Sequence, residues 1–159
     1  MLKKLRVMGV KTVIDSRSFS LSDVIECRPF LIKPNRLEIS GMLGREVSSL
    51  SAVISSAKDI QRAGVENVMV SLGGEGAVLV TPNGAFYAQA PNITPVSTIG
   101  AGDSSIAGFL AATAQNLDCG LRLKTAVAYG SAACLTEGTR PPQKEDVENL
   151  LKKINCCTV

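Results

Sequence analysis

The stretch STIGAGDSSIAGF at residues 97–109 places two glycines and an alanine directly before an aspartate, and small residues at helical spacing follow. Because Gly100, Ala101 and Gly102 carry little or no side chain, they would leave the first amides of a helix uncovered as a cradle for an anion. Asp103 would lie beside that anion, where it could take a proton from an attacking hydroxyl while the amides hold a transferring phosphoryl group. The alternative is that Asp103 only complements the positive end of the helix dipole.

A second loop, KPNRLE at residues 33–38, follows a short apolar run that is typical of a buried strand. Asn35 and Glu38 could hold a hydrated magnesium ion while Lys33 neutralises a phosphate. The alternative is a helix start, at which Asn35 caps the helix and Glu38 complements its dipole.

The glycines of SLGGEG, residues 71–76, form the third loop. Gly73, Gly74 and Gly76 would let the backbone approach a nucleotide closely and present N–H groups to it. A tight turn between two antiparallel strands needs glycine as well, so both interpretations stay open. Ligands of a parallel sheet gather beyond the carboxyl ends of its strands, and the three loops are compatible with one crevice there.

Apolar periodicity predicts strands that alternate with helices, which favours an α/β fold with a mostly parallel sheet. The predicted strands are 10–15, 30–33 and 65–72, with a hairpin over 77–90, and the predicted helices are 1–8, one that starts near Ser20, 48–63, 102–115, 121–134 and 143–154. The first helix leads directly into a buried-type strand, so we expect the sequence to begin inside a larger fold.

The composition restricts the class of protein. A length of 159 residues suits one domain over 1–159, and 45% hydrophobic with 19% charged residues is typical of a compact soluble protein. A net charge of +3 and an aromatic content of 4% argue against nucleic acid as a partner. No apolar run is long enough to cross a bilayer, so no membrane partner is expected.

The chain contains no histidine, which excludes Ser-His-Asp and Cys-His mechanisms and imidazole-ligated metals. Catalysis would have to use carboxylates, lysine, backbone amides or a hard metal ion. The five cysteines are odd in number, scattered and without a CxxC pair, which favours reduced thiols and a cytoplasmic location. For Cys156 and Cys157, we expect a frayed tail with free thiols.

Two other nucleotide motifs fit poorly. A P-loop needs GxxxxGK[ST], which does not occur in this sequence. A dinucleotide fingerprint needs GxGxxG, but position 105 is Ser105 and a proline-bearing segment precedes the loop.

Together, KPN with Glu38, SLGGEGA, TIGAGDSSIAGF and GSAACLTEGTR resemble the phosphofructokinase B (PfkB) branch of the ribokinase-like sugar kinases. The resemblance covers essentially residues 10–154, and the lysine-proline pair points to the phosphosugar branch, which includes 1-phosphofructokinase and tagatose-6-phosphate kinase. It implies a three-layer ribokinase-like α/β fold whose mostly parallel sheet is flanked by helices. It also implies ATP-dependent phosphorylation of fructose 1-phosphate, fructose 6-phosphate or tagatose 6-phosphate.

The resemblance also implies a role for each candidate residue. Asp103 would be the catalytic base, the Gly100–Gly102 amides would form the anion hole, and Glu38 would organise Mg²⁺ with Asn35, partly through water. The residues along the ATP site would be Lys33, Asn35, Ser71, Gly73, Gly74, Gly76 and Ser131. A K⁺ site near the anion hole would use Ser97, Ile99, Ala133, Thr136, Gly138 and Arg140.

Family members are longer and supply their sugar-binding part and lid from residues that precede the segment matched by this chain. We therefore expect the chain to correspond to the C-terminal, nucleotide-binding and catalytic half, with the N-terminal part and lid absent. A sheet edge left open in this way favours self-association, with a homodimer as the expected form. The alternatives are a catalytically silent, truncated nucleotide-binding module of the same family and, more distantly, a dinucleotide-binding oxidoreductase.

Overall fold

The computed structural model describes residues 2–159, and contacts within the chain divide it into two compact units. Unit 1 runs to Leu72 and includes Val78–Ala85 and Val159, whereas unit 2 comprises Gly73–Ala77 and Phe86–Thr158. The elements of unit 1 are α1 (Leu2–Val7), β1 (Val13–Ile14), α2 (Leu21–Cys27), β2 (Leu31–Ile32), α3 (Arg36–Leu43), α4 (Leu50–Arg62), β3 (Asn67–Ser71) and most of β4 (Ala77–Thr81). Unit 2 contains a 3₁₀ turn (Gly73–Glu75), most of β5 (Gly84–Ala88), α5 (Ala101–Ala114), α6 (Cys119–Ala133), α7 (Lys144–Leu151) and β6 (Cys156–Thr158).

The strands form one sheet in the order β1-β2-β3-β4-β5-β6. β1 and β2 run parallel with Ile14 opposite Ile32, and β2 and β3 run parallel with Ile32 opposite Val68. At the other edge, β5 and β6 are antiparallel. Parallel strands need a connection that crosses from one end of the sheet to the other, and helices make that connection here. The predicted α/β fold is confirmed.

Local signals in the sequence explain the helices of unit 1. Ser20 accepts a hydrogen bond from the Asp23 amide and so caps α2, and Ser49 caps α4 in the same way. α4 buries Val53 and Ile60 completely or nearly so on one apolar face. The apolar residues of β2 and β3 are all buried, which is expected for strands that are covered on both faces.

Close packing of α5 on α6 organises unit 2. A Cβ on Gly108 would lie 2.9 Å from both the Thr125 carbonyl oxygen and the Tyr129 Cβ, so only glycine allows this approach. Gly130 has the same function on α6, since a Cβ there would lie 2.2 Å from the Ser105 Oγ. The small residues after the opening glycines of α5 therefore serve helix packing.

Several predicted boundaries are wrong. The strand predicted over 10–15 is only two residues long, and the one predicted over 30–33 is also two residues long. The list of predicted helices lacks α3, the eight-residue helix after Asn35, although a helix start at Asn35 was one of the two interpretations of the KPNRLE loop. The helix predicted over 143–154 ends at Leu151. Apolar runs mark burial rather than ladder hydrogen bonds, which explains why the strands are shorter than the runs.

The expectation of a frayed tail is also wrong. Residues 156–158 form β6, in which Cys157 lies opposite Tyr87 and Cys156 lies opposite Ala88. Backbone pairing with β5 orders this segment, and a tail composition does not reveal such a partner. None of the five cysteines forms a disulfide in the structure. Among residues 2–159, no helix combines the length and apolarity that a membrane span needs.

Gly108→Ala tests the close packing of α5 on α6. The new methyl would contact a backbone carbonyl and a Cβ that cannot move alone, so we expect the free energy of unfolding to fall by about 1–3 kcal/mol. Gly41→Ala is the matched control, because it lies within α3 with no atom within 4 Å of the added Cβ. It should be neutral or stabilise by up to about 1 kcal/mol. Urea denaturation measures both, and equal losses would contradict the packing account.

The β6 thiols should differ in reactivity. Cys157 is exposed, whereas burial, and then the neighbouring Cys157 thiol, raises the pKa of Cys156. Burial also raises the pKa of Cys134. Since the thiolate is the reactive form, we expect iodoacetamide at neutral pH to label Cys157 well before Cys156 or Cys134. Tandem mass spectrometry of time points measures this order, and Cys157→Ser should remove the fast label from the C-terminal peptide.

Candidate active site

A cavity of about 570 Å³ lies within unit 1, at the carboxyl ends of β1 and β2. Its lining combines apolar side chains with three serines, two basic residues and one acid. The lining residues are Ile14, Ser16, Arg17, Ser18, Phe19, Ser20, Val24, Ile32, Lys33, Pro34, Asn35, Leu37, Glu38, Gly41 and Met42. The structure therefore brings Lys33, Asn35 and Glu38 to one cavity, at the edge of a parallel sheet where ligands bind.

Lys33 is almost completely buried beside this cavity. Lys33 is 7% exposed, and its Nζ lies 3.2 Å from a carboxylate oxygen of Asp15. The Asp15 side chain is 31% exposed. Lys33 follows β2 and Asp15 follows β1, so parallel pairing places them side by side. Asp15 is not among the site residues that the sequence motifs predict. An acid directly after an apolar strand was the available signal.

Asn35 and Glu38 form a reciprocal capping box at the start of α3. The Glu38 amide donates to the Asn35 Oδ1 at 2.9 Å, and the Asn35 amide donates to the Glu38 Oε2 at 3.0 Å. The same turn is fixed to β3, because the Ser71 amide donates to the Pro34 carbonyl at 3.0 Å. The geometry therefore agrees with the capping interpretation of the sequence. The hydrogen bond to Pro34 places Ser71 beside Asn35.

Arg17 also contacts Glu38 and was not identified from the sequence. Its Nε donates to the Glu38 Oε1 at 2.9 Å, so each oxygen of this carboxylate has one partner. The Arg17 side chain is 83% exposed and that of Glu38 is 21% exposed. A residue 21 positions away gives no spacing signal, so only the fold reveals this pair.

The donors of this cavity fit a magnesium ion that keeps most of its water. Mg²⁺ is commonly held by one or two carboxylates, waters and substrate phosphates, and the cavity offers the Glu38 carboxylate and the Asn35 amide oxygen. Within residues 2–159, no group of three or more His, Cys, Asp or Glu residues could hold a metal directly.

The start of α5 in unit 2 has the features that the GAGD stretch predicts. Gly100 is the N-cap residue with φ +81°, and no side chain caps this helix end. α6 differs, because Asp118 caps it by accepting a hydrogen bond from the Leu121 amide at 2.9 Å. Asp103 is exposed in the first turn of α5. The Ala101 amide donates to the Thr98 carbonyl at 3.4 Å, but no side chain covers this helix start, and the exposed Asp103 carboxylate lies in the same turn.

The glycine loop at 73–76 divides into two kinds of position. Gly76 has φ +111°, and a Cβ there would lie 2.0 Å from the Ala88 carbonyl oxygen, so packing requires glycine at this position. Gly73 and Gly74 have no atom within 4 Å of an added Cβ. The Tyr87 hydroxyl donates to the Glu75 carbonyl at 2.7 Å, and burial raises the pKa of Tyr87. Because no atom lies close to Gly73 or Gly74, a ligand could approach the backbone at these two positions.

The potassium candidates lie in two loops of unit 2 that hydrogen bonds hold together. The Ser97 amide donates to the Cys134 carbonyl at 3.3 Å. The Thr136 hydroxyl lies 2.9 Å from the carbonyl oxygens of both Ala133 and Arg140. Carbonyl and hydroxyl oxygens are the donors that potassium channels use for this ion. The loops carry Ser97, Ile99, Ala133, Thr136, Gly138 and Arg140, and Ser131 is buried on α6 just before the second loop.

Asn35→Ala should cost stability through the capping box alone. Loss of an N-cap side chain leaves helix amides without a partner, so we expect the free energy of unfolding to fall by about 1 kcal/mol. Asn35→Ser is the control, because serine and asparagine are equally good helix caps. The free energy of unfolding of Asn35→Ser should stay within about 0.5 kcal/mol of that of the parent. Thermal and urea denaturation measure both variants. A loss for Asn35→Ser as large as that for Asn35→Ala would contradict the cap.

Comparisons with known proteins show the family to which the chain belongs. A family model described as pfkB family carbohydrate kinase matches residues 2–146. The 1-phosphofructokinase of Bacillus subtilis is 34% identical over 148 residues, which are 92% of this chain and 48% of that protein. The crystal structure of phosphofructokinase-2 from Escherichia coli in complex with substrates and products superposes with a TM-score of 0.89 and 30% identity, covering 96% of this chain and 50% of that one.

The fold has a wider distribution among sugar kinases. The structure of Arabidopsis thaliana ribokinase complexed with ribose and ATP superposes with a TM-score of 0.81 at 23% identity, covering 95% of this chain and 50% of that one. This likeness confirms the predicted ribokinase-like fold. The chain spans about half the length of the curated relatives that it matches. On the family match and the shared fold, this chain belongs to the pfkB family of carbohydrate kinases.

Proposed function

We propose that the chain is part of an ATP-dependent phosphotransferase that phosphorylates a hydroxyl of a phosphosugar. The observation that carries the proposal is the start of α5, where no side chain caps the helix and Asp103 is exposed. A phosphoryl group in transfer carries negative charge, which uncapped amides stabilise. Asp103 would take the proton of the attacking hydroxyl, and the amides of Gly100, Ala101 and Gly102 would hold the transferring group.

The unit 1 cavity carries groups that suit the phosphates of a nucleotide. Lys33 would neutralise a nucleotide phosphate, and its burial beside Asp15 holds its ammonium in one place. Asn35 and Glu38 would hold Mg²⁺ through water, and the ion would shield the negative charge of the phosphates. The capping box fixes both side chains before a ligand binds.

ATP is the nucleotide that the family relationship favours, and the open backbone at Gly73 and Gly74 suits its close approach. The remaining proposed nucleotide contacts are Ser71, Gly76 and Ser131. Potassium would be a further cofactor, held near the start of α5 by the oxygens around Thr136. The proposed acceptor is a phosphosugar of the class that includes fructose 1-phosphate, fructose 6-phosphate and tagatose 6-phosphate.

A catalytically silent nucleotide-binding module is the second candidate function. The groups that line the unit 1 cavity, Lys33, Asn35 and Glu38, would equally serve a module that binds a nucleotide without transferring its phosphate. A coupled ADP-release assay with the three phosphosugars separates the two functions, because only the kinase releases ADP in proportion to acceptor. Calorimetry with Mg·ATP and with NAD tests the ligand class, and tight NAD binding without ATP binding would exclude both functions.

Self-association into a homodimer stays a prediction.

Asp103→Asn tests the role of the base. We expect a loss of at least about 100-fold in ADP release with nearly unchanged ATP affinity, because the amide cannot accept the proton. Asp118→Asn is the matched control, since Asp118 also begins a helix in unit 2 and asparagine keeps its cap. Its rate should equal that of the parent. Equal rates for Asp103→Asn and the parent would refute the assignment, and calorimetry with Mg·ATP measures the affinity separately.

A further inference from the structure

The carboxylate of Glu38 already has a cationic partner. The Arg17 Nε donates to its Oε1 at 2.9 Å, while its Oε2 accepts the Asn35 amide at 3.0 Å. Glu38 is the one acidic residue among those that line the cavity in the described part of the chain. The other lining cation, Lys33, is paired with Asp15. The positive charge of Arg17 is thus the one that offsets Glu38.

We propose that Arg17 and a divalent cation compete for the Glu38 carboxylate, so that Arg17 is a positioning residue that sets the metal affinity of the cavity. The inference rests on the proposed function, which assigns Glu38 to the metal. A cation that approaches the Glu38 Oε1 meets the Arg17 guanidinium, which already contacts this oxygen. Two positive groups on one carboxylate repel each other. Arg17 beside Glu38 therefore weakens binding of the metal, and the binding strengthens when the guanidinium moves away.

The exposure of the pair makes this exchange feasible. Arg17 is 83% exposed, so it can leave Glu38 and regain water without opening the core. Exposed ion pairs contribute little free energy, and removal of this one should tighten metal binding by about two- to fivefold. The capping bond of Glu38 to Asn35 uses the other oxygen, so α3 keeps its cap when Arg17 leaves.

Binding of Mn²⁺ alone, followed by electron paramagnetic resonance of the free ion, tests the proposal on the full chain. The variants are Arg17→Ala, Arg17→Gln, which keeps a long polar side chain, Glu38→Gln and the double variant Arg17→Ala/Glu38→Gln. Arg45→Ala is the matched control, because Arg45 also lies 2.9 Å from a carboxylate, that of Asp59, and its removal changes the net charge equally. Circular dichroism checks that each variant is folded.

We expect Arg17→Ala and Arg17→Gln to bind Mn²⁺ two- to fivefold more tightly than the parent, with Arg45→Ala unchanged. The double variant should bind as weakly as Glu38→Gln, because the gain requires the carboxylate. If Glu38→Gln weakens binding but the Arg17 variants bind no more tightly than the parent or Arg45→Ala, the competition is refuted and the metal site stands. If Glu38→Gln binds as tightly as the parent, the proposed metal role of Glu38 fails and the competition fails with it.

Discussion

The arrangement of unit 1 depends on one buried charge, the ammonium of Lys33. A lysine removed from water requires a counter-ion, and Asp15 supplies it at 3.2 Å. β1 and β2 pair with Ile14 opposite Ile32, so the next residues along the two strands are Asp15 and Lys33. A slip of one residue would turn one of the two groups to the opposite face. The register of the strands and the ion pair therefore specify each other, and both position the cavity.

Elements with local signals could be predicted from the sequence. α4 has a capping serine at its start and one apolar face, and the hairpin at 82–84 has its turn residues in place. The GAGD stretch likewise predicts a helix start, and α5 begins at Ala101. In each case the information lies within one turn or one period of the chain, so it does not depend on which segments meet in the fold.

Features that depend on pairing between distant segments could not be predicted in this way. β6 exists because Cys156–Thr158 pairs with β5, and the tail itself contains no strong strand pattern. Arg17 and Asp15 become site residues only because β1, β2 and α3 bring them beside Glu38 and Lys33. Polar residues after a short strand are common, and their spacing says nothing about a partner 18 or 21 positions away.

The capping and ligand interpretations of Asn35 and Glu38 do not exclude each other. The cap uses one lone pair of the Asn35 Oδ1 and one of the Glu38 Oε2, and each oxygen keeps a second. Because the reciprocal bonds hold both side chains in one rotamer, a metal or phosphate that binds them orders little further side-chain motion. The start of α3 therefore prepares a ligand site at little added entropic cost. A cap found at such a position is compatible with a functional role rather than evidence against it.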